Sequence, residues 1–226
     1  MSLSGSIRVS REVPFRVLKP SGSAPALGWP AVLALHGYGW DEERFEPVVR
    51  RRFPGTPWVW IVPRGPWRIF EAPGAVGYGW LVGSKDHPDL EGMVSTERFL
   101  AAVLRKTGKA VPIDRRRVAL LGFSQGGFAA GVTVLRNPKA WRGAAVLGAY
   151  VNPKLVPKGL SRARQARIAF FHGSQDRDVP PWRPRKSVAA LAEAGIRAPL
   201  AFFPGGHKLS RPMAKAAQAF LKEALA

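Results

Sequence analysis

Arg117-Val118-Ala119-Leu120-Leu121-Gly122-Phe123-Ser124-Gln125-Gly126-Gly127 reads as a hydrophobic strand running directly into a tight turn flanked by glycines. The residues around the serine follow G-x-S-x-G, a pattern that presents a nucleophilic hydroxyl when it joins a strand to a helix. So sharp a turn strains the serine backbone and leaves room only for small residues two before and two after it, the places of Gly122 and Gly126. Beyond the turn, Gln125 to Leu135 predicts a helix with Phe128, Val132 and Leu135 on its buried face, ended by Asn137-Pro138. Ser124 would then sit at a helix N-terminus, whose partial positive charge favours an oxyanion. The competing reading is a glycine-rich turn that merely contains a serine. A strand in front and a helix behind argue against it.

A serine hydroxyl is a weak nucleophile at neutral pH, so the hypothesis needs a histidine base and a carboxylate to orient it, both later in the chain. The stretch Arg167-Ile168-Ala169-Phe170-Phe171-His172-Gly173 reads as a buried strand, and Ser174-Gln175-Asp176-Arg177-Asp178-Val179-Pro180 is the loop leaving its carboxyl end. Functional groups gather at that edge of an open α/β sheet. Two acids compete there. Asp176 follows the strand more closely, whereas Asp178 stands beside Val179-Pro180 where the chain turns away, a place suited to an exposed carboxylate or a helix cap. The chain has four histidines, and His207 alone follows both acids. It lies in Pro204-Gly205-Gly206-His207-Lys208, a flexible turn after the strand-like Leu200-Ala201-Phe202-Phe203. A lone histidine is more often a surface or capping residue than a catalyst; the order Ser, Asp, His, each after its own strand, outweighs that.

Acyl transfer also needs donors for the negative oxygen of a tetrahedral intermediate. One should be the backbone N–H of Gln125, next after the serine. The second should come from the loop His36-Gly37-Tyr38-Gly39 after the apolar strand Ala31-Val32-Leu33-Ala34-Leu35, with the Tyr38 amide as the candidate, since glycines on both sides allow close approach. His36 and His172 are expected to be structural, bonded to neighbouring loop backbone, and His87 a solvent-facing loop residue.

At this point the chain resembles the phospholipase/carboxylesterase family of α/β-hydrolases, a group of small serine esterases that includes acyl-protein thioesterases. The markers are Leu35-His36-Gly37-Tyr38-Gly39, Val62-Pro63-Arg64-Gly65-Pro66, Gly122-Phe123-Ser124-Gln125-Gly126-Gly127, Phe171-His172-Gly173-Ser174-Gln175-Asp176 and Gly206-His207, in that order over most of the chain. The resemblance implies Ser124 as nucleophile, Asp176 as acid and His207 as base, with the Tyr38 and Gln125 amides as oxyanion hole. It thereby strengthens the choice of Asp176, already favoured by its nearness to the strand, over Asp178. It also implies an α/β-hydrolase fold, a mainly parallel central sheet with helices on both faces and no large cap domain, and cleavage of carboxylic esters without a cofactor. A thioesterase, lysophospholipase or peptidase is the alternative within the same chemistry. One departure stands out: a hydrophobic residue is usual where Asp178 lies, so a second negative charge falls near the acid.

Length and patterning agree with a single domain over residues 1–226. The expected order is a strand or hairpin from Ile7 to Leu18, the Ala31 strand, a helix within Asp41 to Arg52, and the Trp58 to Val62 strand. A long loop and a helix near Met93 to Lys106 precede the serine turn. Strands from Gly143 and Arg167, a helix near Arg183 to Ala194, the Leu200 strand and a terminal helix from Pro212 complete it. Pro47 could mark a later start for the first helix. The long connection from Arg64 to Gly92 interleaves aromatics with glycine and proline, and reads as one wall of a substrate pocket carrying Phe70, Tyr78 and Trp80. Trp40 and Trp182, just beyond the proposed oxyanion and acid loops, could border it. The plainer reading is that these aromatics only pack the loop onto the domain.

With 35 lysines and arginines against 15 acids, the net charge of +20 is the strongest rival signal. Nucleic acid, anionic membrane or acidic polymer would suit such a charge. The bases are scattered, however, in Arg50-Arg51-Arg52, Arg115-Arg116-Arg117 and Arg162 to Arg167, and no nucleic-acid module accompanies them. No specific nucleic-acid partner is therefore expected; the charge predicts electrostatic attraction to anionic substrates or surfaces. A non-catalytic binder on a hydrolase fold is the reading from another class. The absence of cysteine excludes disulfides and a thiol nucleophile. No metal cluster or dinucleotide fingerprint is present in the sequence. Met1 to Pro20 lacks the apolar core of a signal peptide, so a cytoplasmic location is expected.

Overall fold

The computed structural model describes residues 11–72, 75–81, 90–156 and 159–226. Their strands are β1 (Phe15–Leu18), β2 (Trp29–Leu35), β3 (Val59–Pro63), β4 (Trp67–Ala72), β5 (Ala75–Gly79), β6 (Ile113–Phe123), β7 (Ala144–Leu147), β8 (Ile168–Gly173) and β9 (Leu200–Phe203). The helices are α1 (Glu42–Arg52), α2 (Leu90–Ala110), α3 (Gln125–Arg136), α4 (Trp182–Glu193) and α5 (Arg211–Leu225). Seven strands form one sheet in the order β1-β3-β2-β6-β7-β8-β9. All neighbours run parallel except β1, which pairs antiparallel with β3.

A parallel sheet covered on both faces needs apolar residues at every position, because successive side chains point to opposite sides. The central strands meet that demand. Leu33, Leu35, Leu120, Val146 and Phe170 join one core with Met93 and Leu100 of α2 and Ala129 and Val132 of α3. Val32, Ala34, Leu121, Leu147 and Phe171 join the other with Phe45 and Val49 of α1 and Met213 and Leu221 of α5. Truncating one such fully buried leucine to alanine costs about 2–5 kcal/mol.

Local signals set the helix ends. Asp41 caps α1, its carboxylate accepting from the Arg44 N–H at 2.8 Å, and Ser210 caps α5. Acids open α1 and Arg50, Arg51 and Arg52 close it, the arrangement that suits the helix macrodipole. Pro47 lies inside α1 instead of starting it; the Asp41 cap and the burial of Phe45 and Val49 hold the helix together despite the lost hydrogen bond. The stretch expected to be an open loop after Arg64 is partly ordered as the antiparallel hairpin β4–β5, with Phe70 opposite Val76. Apolar residues on both arms, Trp67, Ile69 and Phe70 on one and Val76 and Tyr78 on the other, explain this. The expected N-terminal strand is seen only as β1, and Ile7 to Ser10, like His87, lies outside the described residues.

Each parallel connection returns the chain to the same edge of the sheet. The loops after β2, β6, β8 and β9 therefore emerge side by side, and they carry Tyr38, Ser124, Asp176 and His207.

Candidate active site

Ser124 has φ 54° and ψ −123°, and it is the one non-glycine with positive φ among the described residues. That strain is held from all sides. A Cβ on Gly122 would stand 2.1 Å from the Gly126 carbonyl oxygen, and one on Gly126 would stand 2.3 Å from that of Leu35. The elbow is thus packed backbone against backbone, and the Ser124 N–H donates to the Leu147 carbonyl at 2.9 Å.

His207 reaches this turn from the loop after β9. Its ring lies 4.8 Å from that of Phe123, the residue before Ser124, and a Cβ on Gly148 would touch its Cε1 at 3.4 Å. Its Nδ1 donates to Asp176 Oδ2 at 2.7 Å. Asp176 is 3% exposed, and its other oxygen accepts the N–H groups of Asp178 at 3.0 Å and Val179 at 2.9 Å. One oxygen fastens the loop and the other faces the imidazole. Asp178 is exposed, so the structure brings Asp176 and not Asp178 into contact with the imidazole.

His172 supports that loop from below. It is buried, and its Nε2 donates to the Val179 carbonyl at 2.8 Å and lies 3.4 Å from Asp176 Oδ2. Burial is the largest influence and lowers its pKa, which favours the neutral ring. Carboxyl or imidazole atoms of Asp176, Asp178 and His207 come within 4.8 Å of one another. Because His207 Nδ1 and Asp176 Oδ2 are spent on each other, the grouping serves proton transfer better than cation binding.

The loop after β2 lies against the serine. A Cβ on Gly37 would be 3.5 Å from Ser124 Cβ. The two amides after Tyr38 are engaged, Gly39 N–H with the Tyr78 carbonyl at 3.0 Å and Trp40 N–H with that of Gly37 at 3.2 Å. No acceptor for the Tyr38 N–H is found among the described residues, and Gln125, as first residue of α3, has no intrahelical one. Two free amides therefore flank the turn.

His36 fixes the loop's base. It is fully buried, its Nδ1 donating to the Gly37 carbonyl at 2.7 Å while its Nε2 accepts the Gly65 N–H at 2.8 Å. Burial lowers its pKa to about 4, so the ring is neutral, as that pair of bonds requires.

This constellation sits within a chain whose residues 24–225 match the phospholipase/carboxylesterase family. The chain belongs to that family. Membership places it among the carboxylesterase-type hydrolases. It is similar to carboxylesterase SOBER1 of Arabidopsis thaliana, at 27% identity over 210 residues, 86% of this chain and 90% of the relative. It is 25% identical over 178 residues to acyl-protein thioesterase 1 of Cryptococcus neoformans, 72% of each chain. The crystal structure of esterase PE8 superposes with a TM-score of 0.73 at 25% identity, covering 95% of this chain and 100% of that one. No helix among the described residues is long and apolar enough to cross a membrane.

Within this family member the expected pocket residues divide. Trp80 is fully buried, so it cannot face substrate; its indole donates to the His36 carbonyl at 2.8 Å, and its own carbonyl accepts from the Thr96 hydroxyl. Its burial in the core that holds Met93 and Leu100 and its need for an acceptor turn it inward, a correction to the expectation of a pocket wall. The Tyr78 ring is committed to Arg64, whose guanidinium lies 4.6 Å above it and is held in turn by buried Glu42 at 2.6 Å. Phe70, Trp40 and Trp182 are exposed.

One contributor is missed by reading motifs alone. The Gln125 side chain accepts the Trp80 N–H at 2.9 Å and donates to the Leu81 carbonyl at 3.4 Å. It mimics a peptide group and stitches the elbow to the end of the hairpin. A polar residue directly after the serine was the available signal; its partners, more than forty positions away in sequence, were not.

Proposed function

We propose that this chain hydrolyses carboxylic esters through an acyl-enzyme on Ser124. The observation that carries the reading is the 2.7 Å bond from His207 Nδ1 to Asp176 Oδ2, delivered beside a serine held at φ 54°. With Nδ1 carrying a proton, Nε2 is the free basic nitrogen. His207 takes the Ser124 proton as the hydroxyl attacks the ester carbonyl, and Asp176 stabilises the imidazolium that forms. The Tyr38 and Gln125 amides receive the oxyanion, aided by the N-terminal end of α3. His207 then protonates the leaving alcohol, and water, deprotonated by the same nitrogen, releases the acid. The chemistry calls for no cofactor. We place the activity in one domain spanning 1–226 and in the cytoplasm.

The relatives named thioesterases favour one second reading, a thioester substrate, since the same groups would serve a thiolate leaving group. The test is hydrolysis of p-nitrophenyl esters and matched thioesters of graded acyl length by wild type and Ser124→Ala. Turnover lost in the variant supports the mechanism, and the preferred leaving group separates the two readings. Equal rates in both proteins would remove Ser124 from the chemistry.

A further inference from the structure

Two of the basic clusters, Arg115 to Arg117 and Arg162 to Arg167, are far apart in sequence, but the fold sets Arg115, Arg116 and Arg167 at one edge. In a sheet of parallel strands, strand starts and the ends of the preceding helices share one edge, opposite the catalytic one. Arg115 and Arg116 lie at the start of β6, Arg142 just before β7, Arg167 just before β8 and Arg197 just before β9. These strands are consecutive neighbours in the sheet. Register puts the arginines in a row: Ala144 pairs with Ile168 and Phe170 with Leu200, so Arg167 stands opposite Gly143, one position above Arg142, and Arg197 as far below Leu200 as Arg167 is below Phe170. At the roughly 4.8 Å spacing of adjacent strands, the row spans about 15 Å.

All of these side chains are exposed. Several are oriented by backbone carbonyls, which hold a guanidinium without neutralising it. Arg142 Nε donates to the Arg116 carbonyl at 2.6 Å, and Arg167 Nη1 to the Glu223 carbonyl at 3.4 Å. Among the described residues, Arg142, Arg167 and Arg197 form no ion pair, and the carboxylate nearest Arg116, Asp114 at 3.7 Å, already serves Arg117 at 2.8 Å. At the other edge, Glu42 and Glu43 at the start of α1 are paired with Arg64 and Arg16.

We propose that this arginine row is a docking surface for the phosphodiester backbone of double-stranded nucleic acid, bound without sequence selection and away from the catalytic edge. Planar guanidiniums suit phosphate oxygens. Among the described residues the edge has no large exposed aromatic side chain, so it lacks the stacking platform of a single-strand binder. A bilayer fits less well, because stable adsorption combines charge with apolar insertion. Exposed Tyr38, Trp40 and Trp182 lie at the opposite edge, on or just beyond the loops after β2 and β8.

The test measures binding of the full chain to a labelled DNA duplex of random sequence by fluorescence anisotropy across a salt series, and to phosphatidylserine vesicles by co-sedimentation. One variant carries Arg142→Gln, Arg167→Gln and Arg197→Gln; a control carries Arg44→Gln, Lys186→Gln and Lys215→Gln, three exposed bases in the early turns of α1, α4 and α5. The edge variant should bind at least tenfold more weakly at low salt, with a slope of log K against log salt shallower by roughly 2 to 3, while the control changes much less. Lysines at the three edge positions should retain most of the binding, which separates charge from a folding defect. Equal losses in edge variant and control would overturn the proposal, leaving only net charge. So would no duplex binding at low salt, or vesicle binding that is tighter than duplex binding and lost in the edge variant. Ester hydrolysis is read separately and should be unchanged in both triple variants.

Discussion

Acidification should loosen this protein through His36. The ring is fully buried with its Nε2 accepting the Gly65 N–H, and protonation would turn that acceptor into a donor facing a donor. Burial lowers the folded-state pKa from 6.5 to about 4. A lowered histidine pKa means the unfolded chain binds the proton more readily, so this stability is complete above pH 6.5 and is lost as pH falls towards 4. At about 1.4 kcal/mol per pH unit, the whole effect is roughly 3 kcal/mol, of which about 2 kcal/mol is gone by pH 5. Urea unfolding followed by tryptophan fluorescence at pH 7.5 and pH 5 should show it as a midpoint lower by roughly 0.7 M at pH 5, for a denaturant slope of about 3 kcal/mol per M. His172 titrates with the same sign, so the comparison that matters is with His36→Gln. That variant should be less stable at pH 7.5 and should lose less on acidification. An acid-induced loss of the same size in wild type and His36→Gln would refute the reasoning.

Three further outcomes can be checked. Asp176→Asn should lower ester turnover by roughly 10³ to 10⁴-fold with the fold intact by circular dichroism, because it removes the carboxylate that orients His207, while Asp178→Asn changes it little. Gln125→Met should lower kcat about tenfold or more with KM nearly unchanged, since the side chain only fastens the elbow to Trp80 and Leu81; steady-state kinetics on one short ester decide it. Gly126→Ala should destabilise by about 3 kcal/mol or more in a thermal melt, because its Cβ would lie 2.3 Å from backbone oxygen on β2.

The division between sequence and structure can be traced residue by residue. Ser124, its flanking glycines and the strand and helix around it were legible because the chemistry there is local: strain, small neighbours and apolar periodicity all lie within about twenty residues. The alternation of buried strands and helices was legible for the same reason, and with it the mainly parallel sheet. The local pattern favoured Asp176 over Asp178 by its nearness to the strand, and the resemblance to the family strengthened that choice. The loop's own hydrogen bonds, Asp178 N–H and Val179 N–H to Asp176 Oδ1, give the physical reason that Asp176 turns inward.

Trp80 could not be read correctly from its place in an aromatic-rich connection. Whether an aromatic faces a pocket or fills a core depends on what packs above it, and here His36 and Thr96, from distant segments, draw it inward. The Gln125 stitch and the arginine row share that origin. The sequence by itself determined which chemical groups this protein carries and the local backbone that exposes Ser124. The tertiary structure alone decided which distant groups became neighbours, because a sheet ordered β2-β6-β7-β8-β9 sets strand ends side by side at one edge and strand starts at the other, regardless of their separation along the chain.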